Sequence, residues 1–302
     1  MTELQRYLAE EVAGDHADGI LTRREALRRL GLLGLSVSAA TALLAGFATR
    51  SAAASGSVNR SRGSQAEDWA PVPTEEITFP GPNGTLMAAW APAPKPRGGL
   101  LVIHENRGLN NHIRSVASRL AAGGYSSLAL DLLSEEGGTG SFPDEPAVGA
   151  ALAAVPPERF DNDMKAAVTE IGRRLPRKRI GAIGFCSGGG MVWRLLAAGE
   201  RRLAAAAPFY GPFPAGGDLR RAKAAVLGVY GEDDLFVNPT RDAAKAALEA
   251  ARLRHLILTF TDVGHAFFND TGPRYNVAAA AEAYRRVLDW FDEYVARRDH
   301  HD

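Results

Sequence analysis

From residue 75 onward the chain alternates between two hydrophobic periods. Short apolar runs bounded by Gly, Pro or polar clusters read as buried strands: "GGLLVIH", "YSSLALDLL", "RIGAIGF", "LAAAAPFYG", "AAVLGVY" and "RHLILTF". Between them, apolar residues fall three and four apart in "NHIRSVASRL", "RFDNDMKAAVTEIGRRL", "MVWRLLAAG", "NPTRDAAKAALEAARL" and "NVAAAAEAYRRVLDWFDEYVARR". That spacing predicts amphipathic helices, the first stopped by Gly123-Gly124 and the fourth opened by Pro239. Asn83-Gly84, between two strand-like runs, predicts a hairpin. The Gly- and Pro-bounded stretch "SEEGGTGSFPDEPAVGAALAAVPPE" has no strand pattern and is expected to cross over the sheet edge. Strand and helix in alternation give an α/β fold, with a mainly parallel sheet and helices on both faces. Function in such sheets lies beyond the carboxyl ends of the strands. Four polar segments fall there: "HENRG", "CSGGG", "GEDD" and "GHAFFND".

The first sixty residues follow another pattern. Two arginines, Arg23 and Arg24, precede an apolar stretch from Leu30 to Ala48, and small residues follow it. This is the order of an export signal. "TRREALR" resembles the twin-arginine type, although Ala26 and Arg28 stand where that type usually has Phe and Lys. The expected division is residues 1–54 as signal peptide, 55–72 as linker and 73–302 as the folded domain, with cleavage after Ala54. The resemblance implies the twin-arginine export machinery as a partner, export in the folded state, and a periplasmic or extracellular location. Membrane contact would come only through the N-terminal segment before cleavage. Two alternatives stay open: an uncleaved anchor, since 19 residues just span a bilayer, and a surface amphipathic helix.

Composition narrows the function. Of 302 residues, 46% are hydrophobic and 23% charged, as in ordinary globular proteins. Lys+Arg and Asp+Glu both number 35, so nothing points to nucleic acid or another polyanion as a partner. The one cysteine, Cys186, can form no internal disulfide and no Cys-based zinc cluster.

Cys186 sits in Gly184-x-Cys186-x-Gly188, between a predicted strand and a predicted helix. That is the form of a nucleophile elbow, where glycines two residues either side admit a sharp, strained turn. The helix N-terminus would also favour a thiolate. The plainer reading is a buried thiol in a tight bend. A phosphate-cradling loop is disfavoured because no Lys-Ser/Thr follows. A thiol needs a base. His265, in the loop after the last strand, is the candidate, and His104, at another strand end, competes with it. Asp233 and Asp234 both follow a strand and offer the acid that would orient the base. The order nucleophile, acid, histidine is that of α/β-hydrolases.

"GFCSGGG", "GEDDLFVNP" and "GHAFFND", preceded by "HENRGLNNHI", resemble the dienelactone hydrolase family, a cysteine branch of the α/β-hydrolase fold, over residues 73–297. The resemblance implies a triad of Cys186, His265 and Asp234, with Asp233 as fallback. It implies that Glu105 takes the thiol proton when substrate binds, and that the backbone N–H groups of Ser187 and Asn106 form the oxyanion hole. The expected activity is hydrolysis of a carboxylic ester or lactone through an acyl-thioenzyme, on a small-molecule substrate, needing neither metal nor organic cofactor. Members that open dienelactone hold its carboxylate with arginines, one of them four residues after the histidine, where this chain has Asn269. A second arginine position lies in the excursion after Asp131, where Arg159 does not clearly align. A different ester or lactone is therefore expected. Its pocket would be lined by Tyr210, Phe267 and other aromatics (Phe213, Phe268 and Trp193), with Arg107 as a carboxylate contact. A peptidase or thioesterase on the same fold, or a non-catalytic binding protein, are the rivals.

Overall fold

The computed structural model describes residues 1–54 and 72–296, so residues 55–71 of the expected linker lie outside the described residues. β1 (Glu75–Pro80) and β2 (Thr85–Ala91) pair antiparallel as the expected hairpin, closed where Gly81 N donates to Gly84 O at 2.6 Å. β2 continues antiparallel to β4 (Tyr125–Leu130). The rest of the sheet is parallel: β3 (Gly98–Ile103), β5 (Ile180–Phe185), β6 (Leu203–Phe209), β7 (Ala225–Gly231) and β8 (His255–Phe260). The strand order is β1-β2-β4-β3-β5-β6-β7-β8. β3, β4 and β5 are buried along their whole length, which is why their sequences read as unbroken apolar runs.

Among the described residues, three helices precede the sheet: α1 (Glu3–Ala17), α2 (Arg23–Leu32) and α3 (Val37–Ala54). α4 (Asn111–Ala122), α5 (Glu145–Ala154), α6 (Pro157–Arg174), α7 (Ser187–Ala197), α8 (Asn238–Ala250) and α9 (Val277–Phe291) follow. The sheet divides the core. Ile113, Val116, Val287 and Phe291 pack with Leu100 and Val102 on one face. Met164, Ile171, Leu195 and Leu248 pack with Leu101 and Ile103 on the other. Each fully buried aliphatic side chain contributes about 1.5–3 kcal/mol. The excursion after β4 carries structure that its Gly and Pro content conceals: two 3-10 turns and then α5, capped by Asp144, whose side chain accepts from Ala147 N at 2.9 Å.

The N-terminal region folds onto this domain. The apolar stretch from Leu30 to Ala48 is not one helix. It breaks between α2 and α3, where Gly34 has φ 85. Among the described residues no helix is long and apolar enough to cross a membrane. Ala13, Ala26 and Leu30 are fully buried, and the Phe47 and Phe236 rings stack at 5.9 Å. A Cβ on Gly14 would lie 1.9 Å from the Phe236 ring, so α1 approaches that side chain at backbone distance. Arg28 pairs with Asp144 at 2.5 Å, and Arg274 with Asp15 and Asp18 at 2.7 Å each.

Candidate active site

β5 ends in the turn that carries Cys186, which has φ 56 and ψ −125 and caps the N-terminus of α7. A non-glycine residue in this region costs about 1–3 kcal/mol, held in place by what surrounds it. Here the surroundings are backbone. A Cβ on Gly184 would lie 2.2 Å from Gly188 O, and one on Gly188 would lie 2.4 Å from Ile103 O and His104 O. Cys186 N donates to Phe209 O at 3.1 Å. The turn therefore fits only with glycine on both sides, as the motif requires. Ser187 is the first residue of α7, where helix geometry leaves N–H groups without an intrahelical acceptor.

Beyond β8, His265 is buried and its Nδ1 lies 2.7 Å from Asp234 Oδ2. Asp234 is fully buried, and its Oδ1 accepts from Phe236 N at 3.0 Å and Val237 N at 3.1 Å. Asp233 is exposed. The structure thus sets the two carboxylates apart: Asp234 is buried against His265, and Asp233, the fallback, is at the surface. Burial works against the charged imidazole of His265, but the charge and hydrogen bond of Asp234 outweigh it and hold the pKa well above the ordinary range. Burial pushes the Cys186 thiol up, the Glu11 carboxylate adds to this, and His265 opposes it.

His104, the competing base, is committed elsewhere. Its Nδ1 lies 2.7 Å from Glu105 O, its Nε2 accepts from Leu132 N at 3.1 Å, and burial lowers its pKa. It shapes the loop that carries Glu105. The carboxylate of Glu105 is buried and accepts from Asn269 Nδ2 at 2.6 Å and from the Tyr210 hydroxyl at 3.5 Å. Asn269, where the resemblance sought an arginine, is thus a partner of Glu105. The acid that meets the thiol is a different one: Cys186 Sγ donates to Glu11 Oε2 at 3.6 Å.

Glu11 comes from α1, and so does Tyr7. The buried Tyr7 hydroxyl lies 3.2 Å from Cys186 Sγ and 3.1 Å from His265 Nε2, bridging the two. Burial, together with the charges of Cys186 and Glu11, raises its pKa, so the phenol is neutral. Asn106 Nδ2 donates to the same Glu11 oxygen at 2.9 Å. Glu11, Cys186 and His265 each offer one ligand atom, all within 4.8 Å of one another. By type these could hold a divalent cation, but the Tyr7 oxygen lies between two of them. The cavity left beside Cys186 is about 30 Å³, walled by Glu11, Glu105, Asn106, Arg107, Asn269 and Arg274 among others. That is room for one or two waters.

The expected aromatic wall lies elsewhere. Tyr210 and Phe267 are fully buried, their rings 5.7 Å apart, and Tyr210 packs edge-on to His265 at 5.1 Å. Phe268 stacks on Phe185 at 5.2 Å, and Trp193 meets Phe213 at 5.3 Å in the core. The pocket is polar instead. Arg107 does line it and pairs with Glu145 at 3.5 Å. Tyr7, Glu11 and Arg274 were missed from the sequence. The first two lie in a stretch read as a leader, and Arg274 lies in a loop without a motif.

The model of the dienelactone hydrolase family matches residues 86–295. The chain belongs to that family. A 31% identity over 236 residues relates it to the "Putative carboxymethylenebutenolidase" of Escherichia coli (strain K12), covering 72% of this chain and 86% of the relative. Among solved structures, the "Putative Dienelactone Hydrolase" of Klebsiella pneumoniae subsp. pneumoniae MGH 78578 superposes with a TM-score of 0.65 at 27% identity, covering 73% of this chain and 98% of the other. Dienelactone hydrolase from Anabaena variabilis ATCC 29413 shares the fold with a TM-score of 0.58 at 18% identity, covering 74% and 98%. This dienelactone hydrolase family member is a hydrolase on the α/β-hydrolase fold. The family match begins at residue 86, so α1–α3 fall outside it.

Proposed function

We propose that the chain hydrolyses a carboxylic ester or lactone through Cys186, His265 and Asp234. The observation that carries this reading is the 2.7 Å contact from Asp234 to His265 Nδ1, which leaves Nε2 facing the elbow that holds Cys186. The Cys186 thiol proton passes to Nε2 and the sulfur bonds to the substrate carbonyl carbon. The oxyanion is held by N–H groups at the start of α7 and in the Asn106 loop. The carbon–oxygen bond to the alcohol breaks, and that oxygen takes the proton from Nε2. Water then attacks the acyl-thioester, giving a proton to Nε2. The carbon–sulfur bond breaks, the thiol is restored and the acid leaves. In a lactone the alcohol and acid remain one molecule. Arg107 and Arg274 at the cavity wall support a substrate with a negative substituent, in place of the apolar pocket that the sequence suggests. Asn269, held by Glu105, supports a carboxylate contact different from that of the dienelactone-opening members.

The test is turnover of p-nitrophenyl acetate by the purified protein, with the loss expected in Cys186→Ala. Turnover that survives this change, or that persists with Cys186 fully alkylated, overturns the nucleophile.

We also propose export by the twin-arginine route, with Arg23 and Arg24 exposed on the first turn of α2 in support. The double change Arg23→Lys, Arg24→Lys should hold the protein inside the cell; normal secretion of that variant refutes the route.

A further inference from the structure

We propose that the catalytic cleft is the docking site of the chain's own helix α1, whose Tyr7 and Glu11 occupy the place of the substrate and hold the full-length hydrolase closed. The inference rests on the hydrolase reading above and adds a state of the same site.

Geometry carries it. A carbonyl carbon attacked by sulfur must stand about 3–3.5 Å from it, with the leaving oxygen within hydrogen-bond reach of the base. The Tyr7 oxygen stands at 3.2 Å from Sγ and 3.1 Å from Nε2. No ester can take that position while Tyr7 is there, and the remaining cavity of about 30 Å³ holds none beside it. Glu11 then takes the polar partners around the site. One of its oxygens accepts from both Asn106 and Cys186. Further along the helix, Asp15 and Asp18 take Arg274. The helix presents these residues at three- and four-residue intervals, so one face supplies the whole set.

The seat is shaped for this segment. Leu8, Ala9 and Ala13 are buried along the same helix, and Gly14 admits the Phe236 ring. The capping box of Thr2 and Gln5 fixes the start of α1, so the helix is formed up to its first turn. α2 and α3 tie it down through Arg28 on Asp144 and Phe47 on Phe236. All of it lies ahead of residue 86, where the family match begins. The hydrolase domain therefore carries an occupant that is additional to its own fold. Removal of residues 1–54, as the export reading implies, would take Tyr7 and Glu11 out of the cleft.

The test uses the full chain. Cys186 is the only cysteine, so one iodoacetamide adduct reports its access. Hydrogen exchange of the α1 amides reports docking, and p-nitrophenyl acetate reports turnover. Ala13→Asp puts a charge into the buried packing of α1, and Tyr7→Ala removes the bridging ring. Each should raise α1 exchange and Cys186 alkylation together by about tenfold or more, the factor that ~1.4 kcal/mol of lost docking gives. Turnover should rise with them in Ala13→Asp, which leaves Cys186, His265 and Asp234 untouched. Alkylation that rises without any turnover supports the docked helix and sinks the hydrolase reading. Alkylation that stays flat while α1 exchange rises overturns the docking proposal. So does unchanged α1 exchange in Ala13→Asp, since a buried charge there must weaken the packing that holds α1. Turnover that falls in Tyr7→Phe with unchanged alkylation would make Tyr7 a working part of the site, and also overturns it.

Discussion

Replacing Asp234 by Asn tests the site at the bond that organises it. Oδ1 of Asp234 accepts two backbone N–H groups, from Phe236 at 3.0 Å and Val237 at 3.1 Å, while Oδ2 faces His265 Nδ1 at 2.7 Å. An asparagine must keep its single oxygen on the two backbone donors, because both are held by the start of the turn into α8. Its NH2 then points at Nδ1. Two donors cannot face each other, so the imidazole moves its proton to Nε2 and offers Nδ1 as acceptor. Nε2 can then no longer take the thiol proton. A tautomer error of this kind lowers kcat by about 10⁴, or ~5.5 kcal/mol of barrier at 1.36 kcal/mol per tenfold. The shape of the site is unchanged, so the melting temperature should move little. The assay is p-nitrophenyl acetate turnover, with Asp233→Asn as the partner variant. Asp233 is exposed, so its change should leave turnover within about twofold, as surface substitutions usually do. Turnover of Asp234→Asn within tenfold of the parent, or an equal loss in Asp233→Asn, would refute the assignment.

Three further outcomes follow from the same contacts. Gly188→Ala places a methyl 2.4 Å from two backbone carbonyls that cannot retreat, and should cost about 1–3 kcal/mol in thermal unfolding and abolish turnover; an unchanged melting temperature would show that the turn is looser than described. Asn269→Ala strips the 2.6 Å donor from the buried Glu105 carboxylate and should cost about 1.5–3 kcal/mol by urea unfolding, with Asn269→Asp costing more by charge repulsion; equal midpoints for both would contradict it. Glu11, facing His265, Asp15, Glu105, Arg274 and Cys186, is pushed by burial from 4.5 to about 7. The docked helix thus binds the proton more tightly than the free one. Docking should be strongest below pH 4.5, fade as pH rises through 7 and lose up to ~3 kcal/mol. Exchange of the α1 amides against pH should show that slope in the parent and a flat line in Glu11→Gln; parallel curves would remove Glu11 as the cause.

Much of this molecule is written locally. The strands from β3 to β8 are legible because each is an apolar run between turn residues, and parallel strands buried on both faces need little else. The elbow is legible because Gly184 and Gly188 are demanded by backbone atoms within a few residues, and by β3 alongside. His265, and an acid at Asp233 or Asp234, are expected from chain order and strand ends. Choosing Asp234 over Asp233 from the residues alone was not possible, because two adjacent side chains differ only in which way the turn aims them. α5 escaped notice because burial against other helices, rather than its own periodicity, makes it a helix.

The sequence by itself determined the α/β scaffold, the strained cysteine turn and the residue types of the chemistry, since each rests on short-range sterics and period. Only the tertiary structure decided what occupies the cleft. Tyr7 meets Cys186 across 179 positions and His265 across 258, and no local pattern in α1 records the shape of the groove that receives it. The same holds for Glu105, whose partner Asn269 is 164 positions away. Contacts of that range are set by how helices and loops converge at one end of the sheet, and that convergence exists only once the sheet has formed.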